Sequence, residues 1–133
     1  MRTHRVRTIV PGGAKGEVLK SDLPLSFLGG VDPKTGQITE EGHALRGETI
    51  AGVIFALPHS RGSTVGSYVL YSLATHGVAP LAVLMRKMDM VTATGCVLGG
   101  IPLAIVTERT WSGLKDGTLV ELSADSPTLS LSE

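Results

Sequence analysis

The sequence predicts an α/β domain with a small, partly parallel sheet, crossover helices and additional N- and C-terminal strands. Three observations carry this. Strand and helix patterns alternate between Ile50 and Thr107, the strands among them are short apolar runs, and segments near both ends carry strand signals. At 133 residues the chain fits one domain, spanning 1–133.

Residues 6–10 are rich in β-branched side chains and end at Pro11-Gly12-Gly13, where a proline and two glycines favour a reversal. A strand resumes over residues 17–20. Residues 23–28 are apolar but include Pro24, whose missing backbone donor argues against a central strand. From Gly29 to Gly36 the chain reads as an ordered loop, because Asp32 can bond its own following backbone. A short segment then ends near Glu40.

From Thr49 the pattern changes. Residues 50–57 are nearly all apolar, as a strand buried on both faces requires, and Pro58 stops them. The polar bridge His59-Ser60-Arg61-Gly62-Ser63-Thr64 leads into a helix over residues 65–76, with Val65, Val69, Leu70 and Leu73 at helical spacing and Gly77 as terminator. Residues 81–85 form the next strand. Asp89 caps a helix running through Val91, Thr94 and Val97 to Leu98, which Gly99-Gly100 ends. After Pro102 a third apolar strand occupies residues 103–107. This order implies right-handed crossovers, with helices covering the faces of the sheet. Lys115-Asp116-Gly117 is a turn, residues 118–122 return to strand, the chain from Ser123 is polar with Pro127, and its last few residues are mobile or ordered only by a partner.

Lys plus Arg and Asp plus Glu each number 12, so the formal charge is zero. Arg2, Arg5 and Arg7 form the only dense basic cluster, a tail and not a nucleic-acid groove. No stretch approaches the roughly 18 to 20 apolar residues of a membrane span, and the N-terminus has no apolar signal region. The expectation is a cytoplasmic protein with neither nucleic acid nor membrane as partner. The single cysteine, Cys96, cannot by itself hold zinc or an iron–sulfur cluster, so metal chemistry needs other ligands or another chain. His4, His43, His59 and His76 show no zinc spacing, and no metal site is expected here. Asp32, Asp89 and Glu108 read as a turn former, a cap and a strand-end group.

The bridge between Pro58 and Ser67 follows a buried strand and enters a helix, the position at which open α/β sheets bind ligands. Amides at Gly62, Ser63 and Thr64 would lack helical acceptors and face an incoming anion, and Arg61 offers a fork to carboxylate or phosphate. Ser63 is either a helix cap or a reactive hydroxyl. As a base it needs its alkoxide stabilised by Arg61, helix amides or a nearby metal. Spacing reveals no Ser-His-Asp triad. The bridge also lacks a Gly-Lys-Ser or Gly-Lys-Thr ending and a Gly-x-Gly-x-x-Gly fingerprint, which leaves ATP and dinucleotides unsupported.

Taken jointly, Pro11-Gly12 through Gly16-Glu17, Pro24-Leu25-Ser26-Phe27, Gly29-Gly30-Val31-Asp32-Pro33, Arg61-Gly62-Ser63, Gly66-Ser67-Tyr68-Val69-Leu70 and Gly95 through Pro102 resemble the small subunit of the aconitase-X family. The resemblance covers roughly the whole chain. It implies a swivelling β/β/α domain that docks onto a large subunit, with an iron–sulfur cluster of 4Fe-4S type carried by that partner and not by this chain. The implied chemistry is that of a hydro-lyase with a small phosphorylated hydroxy-acid substrate. It dehydrates (R)-5-phosphomevalonate to trans-anhydromevalonate 5-phosphate in the archaeal mevalonate route to isoprenoids, the cluster's open iron acting as Lewis acid.

By the same resemblance Ser63 is the catalytic general base, Gly62 and Thr64 hold it and lend backbone donors to the substrate, and Arg61 is the anion contact. Asp32 and its loop match a family segment with no implied chemical role. Aconitase proper has a longer serine, serine, arginine run, whereas here Arg61 precedes Ser63. A related hydroxy-acid dehydratase, such as one acting on cis-3-hydroxyproline, is the alternative within the family. A noncatalytic anion-binding or structural partner, with Ser63 a mere cap, is the alternative outside it.

Overall fold

The structure, a computed structural model, describes residues 2–132; Met1 and Glu133 lie outside the described residues. In chain order the elements are β1 (Arg2–Arg5), β2 (Arg7–Val10), β3 (Ala14–Lys20), α1 (Phe27–Gly30), β4 (Ile54–Leu57), α2 (Gly66–Thr75), β5 (Ala82–Met85), α3 (Met90–Gly99), β6 (Leu103–Ile105), α4 (Glu108–Gly113), β7 (Leu119–Leu122) and β8 (Thr128–Leu131). The strands run in the order β1-β8-β7-β3-β4-β5-β6-β2. β4, β5 and β6 are parallel, and the second half of β3 joins them through Val18↔Ile54 and Leu19↔Phe55. The first half of β3 pairs antiparallel with β7, from Ala14↔Leu122 to Glu17↔Leu119. β7, β8 and β1 continue that antiparallel layer.

β3 therefore passes from one layer to the other. β1 and β2 make the same passage at the opposite ends of the strand order, with only Val6 between them. The sheet closes over on itself, and side-chain alternation divides the core. Phe55, Leu57, Val83 and Met85 pack with Val69, Leu70, Leu73, Ala93 and Cys96 of α2 and α3. Ile54, Ala56, Ala82 and Leu84 pack with Val120, Leu122, Leu129 and Leu131 of the antiparallel layer. Burial on both faces is why β4 and β5 have no polar residue.

The result is the β/β/α layering that the resemblance implies. The helices cover one face of the parallel strands and not both, since the strands at the chain ends cover the other. The strand expected over residues 50–57 begins only at Ile54. Ile50 is buried within the preceding turn, so its apolar character reflects core packing and not strand pairing. Thr128–Leu131, among the last residues expected to be mobile or ordered only by a partner, is ordered within the chain itself. This segment is β8, bonded on both edges, with Leu129 and Leu131 buried. Nor is Arg2–Arg5 a loose tail, because it pairs with β8 as β1.

The short helix α4 has its own cap, Thr107 Oγ1, which accepts the Thr110 amide at 3.2 Å. α1 is a single broken turn, extended at Leu28 and left-handed at Gly29.

α2 and α3 cross at Gly95. A Cβ there would stand 2.5 Å from Leu70 Cδ1, 2.7 Å from Leu70 Cβ and 3.0 Å from the Ser67 carbonyl oxygen. We expect Gly95→Ala to force the helices apart and cost about 1–3 kcal/mol, the usual range for overpacking. Urea denaturation checks this; an unshifted midpoint would contradict the close crossing.

Candidate active site

β4 ends at Leu57, and the chain beyond Pro58 is tied to the start of α3. Ser60 is buried; its amide donates to Asp89 Oδ2 and its hydroxyl to Asp89 Oδ1, each at 2.7 Å. The same carboxylate accepts the Thr92 amide at 2.8 Å and the Thr92 hydroxyl at 3.1 Å. Asp89 is thus the predicted cap of α3 and also the anchor of the bridge. Partial burial pushes its pKa up, but the hydrogen bonds from Ser60 and Thr92 outweigh that and hold it below the ordinary 3.8. On the other side the Arg61 amide donates to the Leu25 carbonyl at 3.0 Å, beside the parallel bridge Leu25↔Ser60.

Gly62 follows with φ +95°, a conformation that favours glycine, and a Cβ there would lie 2.5 Å from Ser26 Oγ and push that hydroxyl aside. The carbonyls of Ser63, Thr64 and Val65 then accept the amides of Gly66, Ser67 and Tyr68 at 2.9, 3.2 and 2.9 Å, a tight turn that runs into α2. Ser63 Oγ accepts the Val65 amide at 3.2 Å and is otherwise exposed. Its hydroxyl serves that leading turn, while Val65 occupies the cap position of α2 and supplies no side-chain cap. Among the described residues the amides of Gly62, Ser63 and Thr64 meet no acceptor, the arrangement expected from sequence.

Arg61 carries most of its side chain in solvent, but its Nη2 donates to Glu40 Oε2 at 2.6 Å. Glu40 Oε1 accepts the Ser26 amide at 2.8 Å. A cleft of about 280 Å³ lies alongside, lined by Pro24, Glu40, His43 and Arg61 among others. Sequence reasoning missed Glu40 and the nearness of Ser26 to Gly62. The only local signal was that Ser26 stands in one of the matching motifs.

The histidines stay out of the serine turn. His59 Nδ1 donates to the Ser60 carbonyl at 2.8 Å and makes no hydrogen bond to Ser63. His43 Nε2 lies 3.2 Å from the buried Ser21 Oγ, but its Nδ1 accepts the Leu45 amide. The neutral ring therefore carries its proton on Nε2 and cannot take one from that serine. Trp111 packs on the antiparallel layer, with Lys20 Nζ 4.6 Å from its ring centroid.

Cys96 is fully buried among apolar side chains. Burial, with the Asp89 charge as a lesser cause, pushes its thiol up to about 12. Among the described residues no three His, Cys, Asp or Glu side chains converge as a metal site. The donor set for an iron–sulfur cluster is thus missing from these residues, and they do not fit it as a resident group. No helix among them is long and apolar enough to cross a membrane.

Three of the motifs that carry the resemblance meet here, Pro24–Phe27 and the start of Gly66–Leu70 packing around Arg61-Gly62-Ser63. A family model described as the Aconitase X swivel domain matches residues 3–131. The chain belongs to this family. Among curated aconitase-X relatives, the phosphomevalonate dehydratase small subunit of Methanosarcina acetivorans is 46% identical over 118 residues, which is 88% of this chain and 82% of the relative. That of Thermococcus gammatolerans is 47% identical over 121 residues, 91% of each chain. The crystal structure of Thermococcus kodakaraensis aconitase X in its holo-form matches with a TM-score of 0.93 at 42% identity, covering 100% of both chains.

Asp89→Asn keeps the size but sets an amide group against the donors of Ser60. We expect a loss of about 1–3 kcal/mol at neutral pH. Because the folded pKa of Asp89 is depressed, its contribution is fully present above 3.8 and is lost as pH falls through the lower folded value. The stability gap between wild type and variant should stay flat from neutral pH down to that region and close below it, measured by denaturation at stepped pH. A gap that is absent at neutral pH, or unchanged at the acid end, would contradict this role.

Proposed function

We propose that this chain is the small subunit of a phosphomevalonate dehydratase, a hydro-lyase converting (R)-5-phosphomevalonate to trans-anhydromevalonate 5-phosphate, and that Ser63 is its general base. The observation that carries this is an exposed serine hydroxyl on a rigid turn, bonded to one amide and set among three unpartnered ones, in a chain of the same family as subunits bearing that name.

In this reading Ser63 Oγ takes the proton from the carbon next to the substrate carboxylate. The C–H electron pair becomes the new C=C bond, and the hydroxyl on the neighbouring carbon leaves and departs, with a proton, as water. The Val65 amide and the positive end of α2 favour the negative form of Ser63 Oγ. The amides of Gly62 and Thr64 and the remaining donors of Arg61 suit carboxylate or phosphate on the substrate. A cytoplasmic setting goes with this pathway.

Ser63 stands exposed, so a base of this kind requires a second wall to exclude water. The large subunit supplies that wall and holds the iron–sulfur cluster, for which the described residues offer no ligands. Support for docking by the helical layer comes from its composition. α2 and α3 contain no charged residue, and Tyr68, Tyr71, Met90, Val97 and Leu98 on them are exposed. Leu28 and Val65 extend the apolar rim to the serine turn, whereas the outer side of a solvated helix is ordinarily polar.

The test is anaerobic co-purification with the large subunit and assay of 5-phosphomevalonate and cis-3-hydroxyproline. Ser63→Ala should leave the complex assembled, with no more than the small fall in melting temperature that loss of the Val65 hydrogen bond brings, while lowering kcat by at least about 100-fold, as loss of a positioned base does. Full activity in the variant would remove Ser63 as base. Turnover of cis-3-hydroxyproline instead would select the related dehydratase, and loss of the complex would make the serine architectural.

A further inference from the structure

We propose that Glu40 is a positioning residue of this site, fixing the Arg61 guanidinium beside the Gly62–Ser63 turn so that its remaining donors meet the substrate anion in a set direction. The inference rests on the functional reading above and deepens it, since neither the sequence nor the family resemblance assigned Glu40 a role.

Glu40 is a charged side chain only 13% exposed, whereas the Arg61 side chain it pairs with is 59% exposed. Each carboxylate oxygen has its own donor: Oε2 accepts Arg61 Nη2 at 2.6 Å, and Oε1 accepts the Ser26 amide at 2.8 Å. Room for the carboxylate comes from Gly30, where a Cβ would stand 3.1 Å from Glu40 Oε1 and 3.2 Å from Glu40 Cβ. The amides of Thr39 and Glu40 both donate to the Gly30 carbonyl, at 2.8 and 3.2 Å, which fixes the backbone beneath.

One carboxylate thus grips the two groups that flank Gly62. Ser26 touches it through space, and Arg61 precedes it in the chain. An arginine with one nitrogen engaged keeps its other N–H groups in a fixed plane, whereas an unpaired one on a long flexible stem does not. The described residues provide no other partner for the Arg61 guanidinium, so its orientation depends on Glu40.

The experiment compares Glu40→Gln, Arg61→Met and the double variant in the reconstituted two-subunit enzyme with 5-phosphomevalonate. Lost positioning of a binding group should raise KM about tenfold with kcat within about threefold, and the double variant should match Arg61→Met alone. A KM within twofold of wild type, or effects that add fully, would overturn the proposal. A second measurement needs neither activity nor a variant that folds: the Arg61 guanidinium resonances of the wild-type chain should show restricted rotation. Free rotation would overturn the proposal, whereas a wild-type complex that fails to turn over 5-phosphomevalonate would overturn the functional reading and leave the restraint on Arg61 standing.

Discussion

The position of the serine turn depends on one carboxylate. Asp89 lies 29 residues from Ser60 in the chain, yet its four hydrogen bonds join the loop after β4 to the first turn of α3. With Ser60 held there and the Arg61 amide held by Leu25, the chain has little freedom left before Gly62. The left-handed turn at that glycine then delivers Ser63 at the entrance to α2. Four donors on a half-buried carboxylate more than offset the cost of burying it, which the direction of its pKa shift records.

The same economy shapes the rest of the domain. β4 and β5 spend both faces on the core, so they form a stiff platform and cannot themselves present polar groups. Polar groups near them are left to the loops at their ends, among them the serine turn after β4. The helices pack closely at Gly95 and direct neutral, partly apolar residues outward. Such a surface suits the proposed docking to a larger subunit.

Much of this was legible in the sequence because it is local. Apolar runs ended by Pro58, the cap at Asp89 and the free amides around Ser63 each follow from a few adjacent residues. What escaped depends on distant pairing. β1 has no apolar residue and β8 has two in four; β1 becomes a strand by pairing with β8, and β8 by lying between β1 and β7. The terminal strands displace the expected second layer of helices, an outcome that alternation of apolar residues cannot distinguish. Glu40 gave no signal because its partners, Ser26 and Arg61, are 14 and 21 residues away. Asp89 was recognised as a cap, but its grip on Ser60 was invisible for the same reason.

The central claim is that Ser63 receives the substrate proton once a partner encloses the turn. A structure of the two-subunit complex with substrate bound under anaerobic conditions tests it most directly. The account predicts Ser63 Oγ within about 3–3.5 Å of the carbon next to the substrate carboxylate, the separation of a reactive pair. A bound substrate whose carbon lies well beyond that reach in a closed complex, with a basic side chain of the large subunit in contact with it instead, would contradict the account.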